Sequence, residues 1–390
     1  MLAALVELLI SAVHRIKARA TKRVEQAFIR EIRRLRYVRR CYLSEEAARL
    51  VAAAIANATF AARQAWLWGE GSTAVAADST HFSAFDQNIF TEWHSRYGGR
   101  GILIYWHIET GSVAVHSQLL ECSASEVAAM IEGVVRHGTD MTINEAYVDS
   151  HGQTEIGFGV ARMLGFKLMP RIKQINRCKL YLPSPGTRED YPRLAPALAP
   201  RPIRWDQIAQ QYDQMVKYAS TIRTGTASTE AIPRRFTRSA SHPPYAAMLE
   251  VGRAEKTCFL ARYLRIRDMQ REVNDGPNVM EPWNGANDII HFGKRGDIAS
   301  NRRDEQELEI LCLYILQAAL VYINTLMIQD VLGEPEWADA LTDADRRGLT
   351  PLFWTHVLPY GEVHLDLGKR LSLGAALAAP PGPATAGKAP

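Results

Sequence analysis

A mixed α/β fold is predicted for this 390-residue chain by three observations. Helical apolar spacing in the N-terminal part gives way near residue 72 to short β-branched and aromatic runs. Two amphipathic helical stretches then alternate with two more such runs. A proline-rich break at 183–202 separates this region from a second half with helical spacing throughout. Strands first in succession and then alternating with helices make a sheet that is part antiparallel and part parallel.

Each element has its own signal. Residues 3–36 carry helical apolar spacing, and 44–66 are alanine-rich and helical. "STAVAADS" (72–79), "GILIYWHIE" (101–109) and "SVAVHSQLLE" (112–121) are bounded by turn residues and read as three consecutive strands. "SEVAAMIEGVVRH" (125–137) is an amphipathic helix with Ser123 or Ser125 as its N-cap. "INEAYVDS" (143–150) is a fourth strand, "TEIGFGVARMLG" (154–165) a helix closed by glycine, and "FKLMPRI" (166–172) a fifth strand. Three strands, helix, strand, helix, strand is the order of the ribonuclease-H-like fold. After the six prolines of 183–202, "IRWDQIAQQYDQMVKYASTIR" (203–223) opens a helical region that runs to about residue 330. The last seventeen residues are rich in Ala, Pro and Gly, a composition that does not build a core.

The length admits two or three domains, and 47% apolar with 23% charged residues is ordinary globular composition. A net charge of +4 argues little, but residues 15–40 hold eleven Lys or Arg against Glu25 and Glu31. That face is either a solvated helix surface or a track for phosphates. Cys41, Cys122, Cys178, Cys258 and Cys312 are scattered without a C-x-x-C pair, which argues against a zinc site and a disulfide framework and fits a reducing compartment. "MLAALVELLISAVHR" lacks a basic start and carries Glu7, so it makes a poor signal peptide. The apolar run Ile310–Ile328 contains Gln317 and Asn324 and follows "NRRDEQELE"; a buried helix is expected there rather than a membrane span.

In the strand order given, the first strand is central and the fourth lies beside it. Asp78 in "AADSTHF" and Asp149 in "YVDSHG" then stand at the same sheet edge, the switch position where open α/β sheets bind ligands. Each aspartate alone could cap a turn. Two side by side repel unless a cation sits between them, and Mg²⁺ suits carboxylate oxygens. A third ligand is expected from a helix of the second half, where Glu250, Glu255, Glu272 and Glu281 are candidates that spacing does not separate.

The stretches "LWGEGSTAVAADSTHF", "DQNIFTEWHSRYGGRGILIYWHIE", "CSASEVAAMIEGVVRHGTDM" and "YVDSHGQTEIGFGVARMLGFKLMPRIK" together resemble the catalytic region of the Tn3 family of replicative transposases. The likeness continues through "RPIRWDQIAQQYDQMVKYA", "VMEPWNGANDIIHFGKRGDI", "LQAALVYINTLMIQDVL" and "LTPLFWTHVLPYG", covering roughly residues 37–372. The resemblance implies a DDE transposase with Asp78, Asp149 and Glu281 as its carboxylates and two Mg²⁺ (or Mn²⁺) as cofactors. It implies 3′-end cleavage of transposon DNA followed by strand transfer into target DNA, in the bacterial cytoplasm beside the nucleoid. It further implies a homodimer, or co-assembly with a full-length transposase, and no membrane. The expected divisions are a helical, basic segment (1–66), a first part of the ribonuclease-H-like core (67–175), a helical insertion (176–275), the last core helices (276–335), a C-terminal segment (336–373) and a disordered tail (374–390).

Around this centre, His151, Gln153 and His81 are either phosphate contacts or supporting structure. Arg171, Lys173, Arg177 and Lys179 after the fifth strand, and Arg234, Arg235 and Arg238 in the insertion, are candidate backbone contacts or a solvated surface. The glycines of "RYGGRG" (96–101) either admit a phosphate or make a tight turn. Members of the family carry long N-terminal DNA-recognition regions, and "LLISAVHRIKARATKRVEQ" (8–26) resembles a segment that lies well upstream in them. An internally deleted copy is therefore expected, with a non-catalytic remnant that binds DNA or inhibits full-length transposase as the alternative.

Overall fold

The computed structural model describes Tyr37 and residues 43–358, except 85–87, 89–90, 96, 123, 186–188, 227–241, 292–296, 299 and 339. The basic stretch 15–40 (Tyr37 apart), Cys41, the arginines 234, 235 and 238, and the tail from 374 lie outside the described residues.

Helix α1 (Glu45–Ala62) begins at Ser44, whose hydroxyl oxygen accepts the backbone N–H of Ala47 (3.1 Å), with Glu45 and Glu46 in the first turn. Its buried stripe Ala48, Ala52, Ala56 recurs every four residues, so small side chains let it lie close against a long partner helix. The short α2 (Ala65–Trp68) leads into the sheet. Strand β1 (Ala74–Ser83) pairs antiparallel with β3 (Gly99–Glu109), which pairs antiparallel with β4 (Ala114–Leu120). β1 pairs in parallel with β5 (Glu145–Val148), and β5 with β6 (Lys167–Pro170). The sheet is therefore mixed, with β1 in its middle between β3 and β5. A sixth strand, the three-residue β2 (Glu92–His94), pairs with the start of β3 and was not expected from the sequence. A turn through Tyr97 and Gly98 joins them, where Gly98 has φ +65°, while Gly99 and Gly101 belong to β3. β1 also runs four residues past its expected end, because its pairing with β3 continues to Ser83.

Alternation along the strands sorts the core into two layers. Ala76, Phe82, Ile104, Trp106 and Ile108 face one layer, closed by α1, α8 (Met280–Ile290) and α9 (Arg303–Leu332). Val75, Ala77, Leu103 and Tyr105 face the other, closed by α3 (Glu126–Val135), α4 (Glu155–Leu164) and α6 (Pro243–Arg265). α4 and α6 cross so closely that a Cβ at Gly252 would stand 1.7 Å from the carbonyl oxygen of Glu155. Among the described residues the remaining α-helices are α5 (Trp205–Arg223), α7 (Arg267–Asp275), α10 (Pro335–Ala338) and α11 (Asp343–Gly348). The proline-rich stretch between β6 and α5 forms turns and a bridge pairing Leu180 with Leu198.

Candidate active site

Asp78 lies within β1, and Asp149 is the first residue after β5. The parallel register pairs Ala77 with Val148 as its last step. One residue further, the two aspartates come abreast on neighbouring strands, at the carboxyl end of β5. Both line one small cavity, together with Tyr105, Glu126, Val127, Met130, His151 and Gly152. Asp78 turns its Oδ1 back to accept the N–H of Ser79 (2.7 Å). Asp149 opens a single helical turn, Ser150–Gly152, and its carbonyl accepts the N–H of Gly152 (2.9 Å).

Tyr105 is buried beneath the pair. Burial first, and then the negative charges of Glu126, Asp78 and Asp149, push its phenol well above the usual tyrosine range. It stays protonated, and all three carboxylates act on this one point.

Glu281 lies in the first turn of α8 and is exposed; it does not line that cavity. Its helix is nevertheless anchored beside the aspartates at two points. Asn284, one turn on from Glu281, accepts a hydrogen bond at Oδ1 from the hydroxyl of Thr80 (2.6 Å), two residues beyond Asp78. Ahead of the helix, Asn278 accepts at Oδ1 from Arg171 (2.9 Å), and the Arg171 N–H is bonded to Val148 O (3.0 Å), next to Asp149. Trp283 packs edge-on against Trp106 with centroids 5.4 Å apart, under β1.

The other candidates for a third carboxylate have different surroundings. Glu250 is buried and clamped by Arg201 (2.7 Å) and Arg253 (2.5 Å), and it also accepts the N–H of Arg204 (3.1 Å). Burial raises its pKa, but the hydrogen bonds from Arg201 and Arg204 and the charge of Arg253 outweigh this and hold it below the ordinary value. Glu255 pairs with Arg162 (3.2 Å), and Glu272 lies with Tyr147, Asp268 and Arg271 in a separate cleft.

Of the flanking residues, His151 lines the aspartate cavity. Gln153 closes the turn after it, and its carbonyl accepts from Lys256 Nζ (2.7 Å). Arg171 is committed to the segment before α8, Lys179 donates to Pro196 O (2.7 Å), and Lys173 is solvent-exposed. His81 stacks on Tyr97 (centroids 4.3 Å) and is not among the cavity residues. Glu126 is the group at the cavity that sequence reasoning missed. In "SASEVAAMIEG" it reads as an acidic residue favouring a helix N-terminus, and nothing local marks it as facing the aspartates.

The donor set here is carboxylate oxygen, which suits a hard divalent cation. Among the described residues no three His, Cys, Asp or Glu side chains form a group that could hold one ion.

The chain is similar to transposases across most of its length. It is 27% identical over 308 residues to the transposase for transposon Tn1546 of Enterococcus faecium, covering 78% of this chain and 31% of that protein. It is 27% identical over 314 residues to the transposase for transposon Tn501 of Pseudomonas aeruginosa, and 24% over 348 residues to that of transposon gamma-delta of Escherichia coli. These matches cover 79% and 87% of this chain, and 31% and 34% of those proteins. The chain thus spans about a third of the length of the curated relatives it matches. The Tn3 transposase DDE domain matches residues 5–362, a span that takes in both aspartates, α8 and the whole sheet. By that match the chain belongs to the Tn3 transposase DDE domain family.

Proposed function

We propose that this chain is the catalytic module of a DNA transposase, with a ribonuclease-H-like core, that cleaves 3′ ends of transposon DNA and joins them to target DNA. The observation that carries the reading is the register of β1 and β5, which sets Asp78 and Asp149 abreast in a member of this family. Asp78, Asp149 and Glu281 would hold the divalent ions, Mg²⁺ or Mn²⁺. When bound, these ions supply the positive charge that stabilises both the attacking and the leaving oxygen of an in-line phosphoryl displacement.

The chain's own residues set up the rest. The β1–β5 pairing ends one residue before the aspartates, which therefore stand at the end of a rigid scaffold, and little reorganisation is needed as negative charge develops. Tyr105, kept neutral, adds no further negative charge beneath them. The Thr80–Asn284 and Arg171–Asn278 hydrogen bonds hold the helix of Glu281 at the same edge. His151, at the cavity mouth with its side chain 54% exposed, is placed to meet a phosphodiester, with Gln153 behind it. Lys173 is open to the DNA backbone, and Arg234, Arg235 and Arg238 are further candidates for that role. The partners in this reading are transposon-end and target DNA, with a second transposase copy completing the assembly.

The test is a cleavage and strand-transfer assay on labelled transposon-end DNA with Mg²⁺, comparing the wild type with Asp149→Ala. Product from the wild type alone, with equal DNA binding by both, is expected. Equal product from both proteins would place the chemistry elsewhere. No product from either, with equal DNA binding, would favour a non-catalytic DNA-binding role.

A further inference from the structure

Glu126 makes two hydrogen bonds at the aspartate cavity. Its Oε1 accepts from the Ser79 hydroxyl (3.0 Å), and its Oε2 lies 3.1 Å from His151 Nδ1. Ser79 follows Asp78, and its own N–H is the donor to Asp78 Oδ1 (2.7 Å). His151 sits in the single turn that Asp149 opens. One carboxylate on α3 therefore ties the residue that holds Asp78 to the turn that begins at Asp149, and it lines the same cavity as both. β1 and β5 stop pairing at Ala77 and Val148, so the ladder itself does not reach the aspartates. The Ser79–Glu126–His151 chain spans them where the ladder ends.

We propose that Glu126 is the positioning residue of the aspartate pair: through Ser79 and His151 it sets the spacing at which Asp78 and Asp149 meet a divalent cation. This rests on the metal-binding role proposed for the two aspartates and adds a group outside the three carboxylates of that reading. Glu126 acts through its two partners and does not itself bind the ion. Groups that orient metal ligands without touching the metal typically contribute tenfold or more to its affinity.

The experiment is Mn²⁺ binding to the whole chain without DNA, followed by electron paramagnetic resonance, with a thermal melt of each variant. Asp149→Ala is expected to lose binding. Glu126→Ala, Ser79→Ala and His151→Ala are expected to weaken it by about tenfold, while Ser79→Thr, which keeps the hydroxyl, binds as wild type does. Ser79→Ala carries the test should Glu126→Ala fail to fold. If Glu126→Ala and Ser79→Ala bind Mn²⁺ like the wild type while Asp149→Ala does not, the positioning role is wrong and the aspartates stand. If Glu126→Ala abolishes binding while Ser79→Ala and His151→Ala do not change it, Glu126 is itself a ligand and the proposal is likewise overturned. If Asp149→Ala binds normally, the underlying metal site is misplaced.

Discussion

At the scale of single residues, the clearest consequence of burial is at His107. Its ring lies in the sheet layer beneath α3, in space that exists because Gly133 has no side chain: a Cβ there would stand 2.0 Å from the ring. Nε2 contacts the carbonyl of Met130 (3.0 Å), and burial pushes the imidazole down to about 4 from 6.5. Because the folded value is the lower one, the unfolded chain takes up a proton that the native protein refuses. Stability from this group is complete above about pH 6.5 and falls as pH drops towards about 4, by roughly 3 kcal/mol in all. Urea melts across that window should show the slope, and His107→Gln should reduce it, the remainder coming from His116 and His137, which burial also lowers, while stability at neutral pH falls. The same scale shows what a sequence can disclose about a site. Asp78 and Asp149 stood out because each followed a β-branched or apolar run, and a strand places such a residue predictably. Glu126 did not, because its partners are 47 and 25 residues away and an acid in a first helical turn needs no further explanation.

At the scale of elements, the strands and helices around the site were legible where their periodicity was long enough. The runs at 101–109 and 112–121 and the helices at 125–137 and 154–165 all formed within two residues of the expected bounds. β2 was not legible, since three residues carry no period and only pairing with β3 makes them a strand. α8 is less legible in the sequence for a different reason. Pro282 at its start suits either a loop or a first turn, and what settles the matter is tertiary: Thr80 and Arg171 hold it from outside. This predicts that Thr80→Val, which keeps the shape but removes the hydroxyl, loosens α8 on β1 while leaving β1 itself intact. The proposed cleavage rate should drop at least tenfold, with DNA affinity unchanged and thermal stability lowered by about 1 kcal/mol, the usual worth of one such hydrogen bond. Thr80→Ser should restore the rate. A Thr80→Val protein that cleaves like wild type would mean that α8 finds its place without this bond.

At the scale of the whole molecule, the site is held from behind by the longest helix among the described residues. α9 is apolar and long enough to cross a membrane by composition, yet 67% of its most apolar window is buried inside the protein. Its buried polar residues show what it is tied to. Gln317 donates to Trp283 O (2.8 Å) in α8, and Tyr314 to Ala114 O (2.8 Å) in β4. Gln329 accepts from the N–H of Gln64 (3.0 Å) and the Trp68 indole (2.9 Å) at α2. Asn324 donates to the carbonyls of Pro351 and Phe353, both at 2.8 Å. That last pair fastens a segment whose Trp354 packs on Gly285, on the same helix as Glu281. Asn324→Leu would fill the space but leave two carbonyls without this donor, the buried one at Pro351 costing about 1–3 kcal/mol and the part-buried one at Phe353 less. It should therefore lower stability more than a surface change and also release the backing of α8. The discriminating comparison is with His107→Gln, whose effect is confined to the other sheet layer. At a temperature where both variants are fully folded, Asn324→Leu should lose most of the proposed cleavage activity and His107→Gln should retain it. Equal retention by both would show that the C-terminal segment supports the fold without bearing on the position of Glu281.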